Sequence, residues 1–173
     1  MIDLHMHPCA LKACPVCDEY ERTGNVAWES LTPFWSALEG VSRAVVLALW
    51  APQSGIRVHN DFIASLVRQA PDRLVGFASV DPTSENAIRE LERSVGDLGL
   101  MGVKLSPIYQ HFAADDTRLW PVLAWIQAHQ LPIMWHQGAT FLAPEGPLEE
   151  ACPRRLDQIA TAFPRIRMII AHF

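Results

Sequence analysis

His5 and His7 stand one residue apart near the start of the chain, and His136 and His172 follow far downstream. Side chains alternate along a strand, so a strand through this stretch presents Asp3, His5 and His7 on one face and Ile2, Leu4 and Met6 on the other. Two imidazoles on one strand face, joined by a third from another strand, offer three neutral nitrogen donors to a divalent ion. A position remains for water or substrate, the arrangement of a catalytic rather than a structural metal centre. Lys104, one of only two lysines, shares an inward strand face with Gly102 and Ser106, where an ammonium is costly unless paired. Its partner is either a substrate carboxylate or a protein carboxylate such as Asp3. Arg57, close to Trp50 and Gln53, is either a second cation for an acidic substrate or a solvated arginine at a helix start.

Cys9, Cys14 and Cys17 form a second grouping. Their spacing, four residues and then two, matches the first three ligand positions of a plant-type ferredoxin, but Cys152 lies far away in a helical region. Three readings follow: an iron–sulfur cluster, a small zinc knuckle that makes a second metal site, or free thiols in an active-site loop. Four cysteines in 173 residues are too few for a disulfide scaffold and indicate reduced thiols or a metal.

The elements that must position these residues appear as short apolar, β-branched runs separated by stretches of helical periodicity. The expected strands are Met1 to His7, Ala44 to Trp50, Leu74 to Val80, Gly102 to Ser106, Pro132 to His136 and Arg167 to His172. Helices are expected near 29–40, 57–70, 83–98, 116–130 and 149–163. Asp81 is expected to cap the third helix, with Pro82 at its first position. This alternation predicts one parallel α/β domain over residues 1–173. His5, His7, His136 and His172 fall at the carboxyl ends of their strands, the edge where such folds bind ligands. His59 and His129 are read as surface residues, and His111 lies in the loop Pro107 to Ala114, beside the same edge.

The last apolar run has nothing after it to cover it, and a complete barrel needs eight strand–helix units and about 200 residues at minimum. The expected fold is therefore a (β/α)8 TIM-type barrel truncated after about six strands. Two open edges favour pairing, which predicts a homo-oligomer or a partner chain.

A net charge of −5 and the shortage of lysine argue against nucleic acid as a partner. The longest apolar run, Ala44 to Pro52, is about half the roughly 20 residues that cross a bilayer, and Met1-Ile2-Asp3 does not open a signal peptide. These features predict a cytoplasmic protein with a small-molecule substrate and no membrane partner. No Gly-x-Gly-x-x-Gly, phosphate loop or Gly-x-Ser-x-Gly elbow is present, so nucleotide-dependent and serine-hydrolase chemistry have no support.

Met1-Ile2-Asp3-Leu4-His5-Met6-His7-Pro8 resembles the opening strand of the amidohydrolase-related metal-dependent hydrolases, in the branch that includes aminocarboxymuconate semialdehyde decarboxylase and resorcylate decarboxylase. Asn60-Asp61 and the run Ala70 to Pro82 are similar to that branch's second helix and third strand. Gly102 to Pro107, Leu131 to Gly138 and Ile169 to Phe173 are similar to its fourth, fifth and sixth strands. The resemblance covers nearly the whole chain in order. It implies that His5, His7 and His136 bind a divalent metal, usually zinc, and that His172 is an acid/base or water-orienting histidine. It also implies an aspartate after the eighth strand, a point this sequence does not reach. Asp3 would support the ligands or bond within the barrel floor. Lys104 gains a further reading, carbamylation to bridge two metals as in other branches. The implied chemistry is hydrolysis by metal-activated water on a small carboxylated cyclic or aromatic substrate, or non-oxidative decarboxylation of an aromatic or muconate-type acid. A noncatalytic metal-binding fragment that needs a partner chain is the rival from another class.

Overall fold

The computed structural model describes residues 1–9, 14–138 and 147–172. Phe173, the last residue of the final apolar run, lies outside them. The strands are β1 (Ile2–Met6), β2 (Arg43–Leu47), β3 (Leu49–Ala51), β4 (Ile56–Val58), β5 (Leu74–Phe77), β6 (Val103–Leu105), β7 (Pro132–His136) and β8 (Arg167–Ala171). The helices are α1 (Pro15–Thr23), α2 (Thr32–Ala37), α3 (Asn60–Gln69), α4 (Ala87–Gly96), α5 (Pro107–Gln110), α6 (Trp120–Ala128) and α7 (Leu156–Ala162).

Two parallel three-stranded sheets, β1-β2-β5 and β6-β7-β8, carry the six expected strands in chain order. A bridge between Ala78 and Val103 joins them, with Ala78 N–H donating to Gly102 O at 2.8 Å and Lys104 N–H donating to Ala78 O at 2.6 Å. The apolar runs are continuous because both strand faces are covered. On β2, Ala44 and Val46 join the outer core beneath the helices, while Val45 and Leu47 meet Phe77 and Met134 in the interior.

Two glycines set close approaches. A Cβ on Gly76 would lie 2.5 Å from Leu100 and 3.0 Å from Ile63, so its absence lets α3 lie against β5. A Cβ on Gly102 would lie 2.5 Å from the Phe77 ring, so glycine there leaves the interior to that ring.

Several boundaries differ from the sequence expectation. The run through Trp50 breaks after Leu47. Leu49–Ala51 turns back on Ile56–Val58 as an antiparallel hairpin that pairs Trp50 with Arg57. Gly55 closes it in the left-handed region, at φ 73°, where lack of a Cβ removes the steric cost. α3 therefore begins at Asn60 rather than 57. Arg57 is exposed on a strand and does not open a helix. The helix expected from residue 83 begins at Ala87. The Asp81 carboxylate accepts from Thr83 N–H at 2.9 Å and Thr83 Oγ1–H at 2.7 Å, so it caps a turn around Pro82 instead of the helix. α1 was not expected. It starts where Cys14 Sγ accepts from Cys17 N–H at 3.3 Å with Pro15 at its first position, a thiol serving as the N-cap.

Candidate metal centre

β1 delivers the first two histidines through an irregularity. Asp3 lies opposite Ala44 and Met6 opposite Val46, three steps on β1 against two on β2. One extra residue makes a bulge and breaks the period-two alternation once. Met6 packs on the outer core, and His5 and His7 on either side of it turn inward. Asp3, beside the outer position Ala44, does not share their face as alternation alone predicted. Its Oδ1 accepts from the main-chain N–H of His5 at 2.9 Å, which pins the bulge and so orients His5.

Four imidazoles gather at the carboxyl ends of the strands. His5 Nε2 and His7 Nε2 are 3.1 Å apart, a separation at which two ring nitrogens share either a proton or a cation. The His172 ring lies 4.8 Å from that of His5 and 4.9 Å from that of His136, and Tyr109 packs on His136 at 4.9 Å. His136 is 7% exposed at the end of β7. His172 follows β8 with φ 67°, a left-handed conformation that non-glycine residues adopt at a cost and that recurs at functional sites.

Lys104 lies within this group, fully buried on β6. Among the described residues its Nζ has no hydrogen-bond partner. The reading that paired it with Asp3 is therefore wrong, because that carboxylate is turned to the His5 main chain. Ser106, two positions on along the same strand, also has a buried hydroxyl without a partner among the described residues.

Burial pushes the Lys104 amine down to about 7, so it changes charge near neutral pH. Burial, and then the charge of Lys104, hold His5 down to about 4 and His7 down to about 2. The same two causes lower His172. His5 and His7 are thus neutral at pH 7, the form that ligates a metal. The nitrogens of His5, His7 and His136 are the donors here that could hold a divalent cation. Among the described residues, Cys9, Cys14 and Cys17 form a separate group whose ligand atoms all lie within 4.8 Å of one another.

The other sequence candidates lie apart. No hydrogen bond or ion pair among the described residues joins Arg57 to the histidines. Cys152 ends a 3-10 turn outside the thiol group. His59, expected on the surface, is partly buried between Trp50 at 4.9 Å and Tyr20 at 6.0 Å. It borders a pocket of about 310 Å³ lined by Asn60, Asp81, Glu90 and Arg93, which contains none of the four histidines. His129 is exposed and stacks on Trp125, while His111 Nε2 is 3.1 Å from Ser54 Oγ.

Gln110 was missed. Its side chain accepts from Ser106 N–H at 2.8 Å and donates to Trp50 O at 2.8 Å and Val80 O at 2.7 Å. It thereby ties together the segments that follow β2, β5 and β6. The one signal for it was Pro107, a first-turn proline that announces a helical turn carrying Gln110.

A family model described as amidohydrolase matches residues 2–173. The chain belongs to this amidohydrolase family. Its members are metal-dependent enzymes, decarboxylases and hydrolases among them. A γ-resorcylate decarboxylase from Polaromonas sp. is 36% identical to this chain over 86 residues, which cover 44% of this chain and 26% of that protein. An uncharacterised TIM-barrel protein from Bordetella bronchiseptica is similar in structure, with a TM-score of 0.74 at 19% identity, over 96% of this chain and 64% of that one. A dihydroxybenzoic acid decarboxylase from Polaromonas sp., with bound manganese and the inhibitor 2-nitroresorcinol, gives a TM-score of 0.63 at 18% identity, over 99% of this chain and 64% of that one. These likenesses establish the fold as that of a TIM-type barrel, and the chain spans a little under two thirds of each of these two neighbours. Among the described residues no helix is long and apolar enough to cross a membrane.

Proposed function

We propose that this chain carries the metal-binding and acid/base residues of an enzyme that removes carbon dioxide from a small aromatic or muconate-type carboxylic acid. The observation that carries this reading is Lys104, a buried amine with no partner of its own among the described residues, set among histidines whose basicity its charge depresses. A buried cation without a counter-ion is expensive, and a substrate carboxylate would supply one. The decarboxylases among the relatives support the same substrate class.

His5, His7 and His136 would hold the divalent ion. Three imidazoles suit zinc, and manganese is the ion in the Polaromonas structure. When bound, such an ion polarises a substrate oxygen or lowers the pKa of a bound water to about 7. The remaining work falls to the chain. Lys104 pairs with the carboxylate, whose charge raises the proton affinity of Lys104 and of His172. The bond from ring carbon to carboxyl carbon breaks and its electron pair stays on the ring carbon. That carbon takes a proton from His172, and carbon dioxide leaves. His172, the more exposed of the four histidines, recovers its proton from solvent.

Hydrolysis is the second reading, favoured by the lowered basicity of His172. A neutral imidazole at pH 7 can take a proton from water and return it to a leaving group. The test uses the full-length protein loaded with zinc or with manganese. Carbon dioxide release is followed with hydroxybenzoic and muconate-type acids, and acid release with cyclic amides and lactones. Carbon dioxide from the first set alone supports decarboxylation. Acid from the second set alone overturns it in favour of hydrolysis, and metal binding with neither product identifies a noncatalytic module.

A further inference from the structure

We propose that Cys9, Cys14 and Cys17 form a second metal site, distinct from the histidine group, which takes a single zinc ion or another thiophilic divalent cation. The three Sγ atoms lie within 4.8 Å of one another, and Cys9 Sγ is 3.0 Å from Cys17 Sγ. All three thiols are free. Cys14 and Cys17 are each 5% exposed, and Cys9 is half-buried.

The geometry favours one ion over the alternatives. Zinc–sulfur bonds of about 2.3 Å in a tetrahedron place sulfurs about 3.8 Å apart, within the span of this group. A four-iron cluster gives each thiolate its own iron and spreads the sulfurs farther. A disulfide would use two of the three and leave the third as a buried thiol beside it, whereas one cation uses all three. The local fold also suits thiolates. Cys14 caps α1 and Cys17 lies in its first turn, where unpaired N–H groups and the positive end of the helix dipole stabilise negative sulfur.

Residues 10–13, between Cys9 and Cys14, are Ala, Leu, Lys and Ala, so this stretch of sequence holds no histidine, cysteine or carboxylate. Among the described residues no further histidine, cysteine or carboxylate joins the group, so water or a small anion would take the fourth position. An ion here would tie the segment after β1 to α1, two residues beyond His7, and so fix the strand end that carries the His-x-His pair.

The test is metal stoichiometry and spectroscopy on the full-length protein, purified under reducing conditions, and it needs no substrate. Zinc per chain is measured in the parent protein, in Cys14→Ser/Cys17→Ser and in His5→Ala/His136→Ala, and each is also loaded with Co2+. The histidine variant should keep one zinc and the thiolate-to-cobalt charge-transfer absorption. The cysteine variant should lose one equivalent and that absorption. Because Cys14 and Cys17 are buried, half-buried Cys9→Ser is the second probe and should weaken zinc binding by about tenfold or more. A parent protein without the cobalt absorption, a Cys9→Ser variant with unchanged zinc affinity, or a Cys9–Cys17 disulfide in the metal-loaded protein overturns the proposal. Failure of either catalytic reading leaves these readouts unaffected.

Discussion

The rings of His5 and His172 lie 4.8 Å apart, although β1 and β8 occupy opposite ends of the strand order. Among the described residues no ladder joins these two strands; β1 pairs with β2 and β8 with β7. Strand twist and tilt bring their carboxyl ends together as in a barrel, while lower down Ile2, Leu4 and Ile170 remain exposed. The left-handed turn at His172 completes the approach by directing its ring between those of His5 and His136. A residue on either strand alone would form half a site.

The four histidines should separate by function. His5→Ala or His136→Ala should remove the histidine-bound metal and the activity with it. His172→Ala should retain that metal and lose about 10²- to 10⁴-fold in turnover, the usual contribution of a positioned acid or base. Elemental analysis beside turnover distinguishes the two outcomes. Equal activity in all three variants would refute the assignment.

Lys104→Met should abolish turnover and stabilise the metal-free fold. With a pKa of about 7 in the fold and about 10.4 when unfolded, the unfolded chain binds more protons between those values, so parent stability rises across that window. Below pH 7 both states are protonated and the burial cost is complete. The advantage of Lys104→Met should therefore be largest near pH 6, on the order of a few kcal/mol, and shrink toward pH 10. Thermal unfolding at several pH values measures it.

Acid should act on the histidine group in the same sense. His5 and His7 are held at about 4 and about 2, below an ordinary value of about 6.5. As pH falls below that value the unfolded chain gains protons first, and metal-free stability declines. Protons also compete for the ligating nitrogens, but only as pH nears the lowered value of His5, so metal held by the histidines should survive dialysis at pH 6 and be lost below about pH 4. Metal retention that is flat over this interval would argue against imidazole ligands.

Gly102→Ala should destabilise the fold by about 1–3 kcal/mol through overpacking, because the new methyl meets the Phe77 ring at 2.5 Å. Trimming that ring with Phe77→Leu in the same protein should make the Gly102→Ala change less costly. Urea unfolding of the two single variants and the pair tests this coupling.

The six parallel strands were legible because two-sided burial leaves continuous apolar runs, and the strand-end histidines could be counted from them. The β3–β4 hairpin was not, since Leu49 to Val58 reads equally as the end of one strand and the start of a helix; only pairing across Gly55 decides. The β1 bulge was invisible for a similar reason. Alternation assumes equal steps on both strands, and the extra step moved Asp3 off the face of His5 and His7. Lys104 was recognised as a problem of burial, but its lack of a partner among the described residues depended on where Asp3 turned. His59 looked solvent-facing until the hairpin placed Trp50 beside it.

Gln110 binds the Ser106 amide and the Trp50 and Val80 carbonyls with one side chain. Lengthening any one of those three segments would pull against the other two through this shared anchor. Evolutionary drift in the wall of the site should therefore be collective. In relatives that lack a glutamine here, all three segments should differ together, whereas relatives that keep it should concentrate their variation in stretches this amide does not reach.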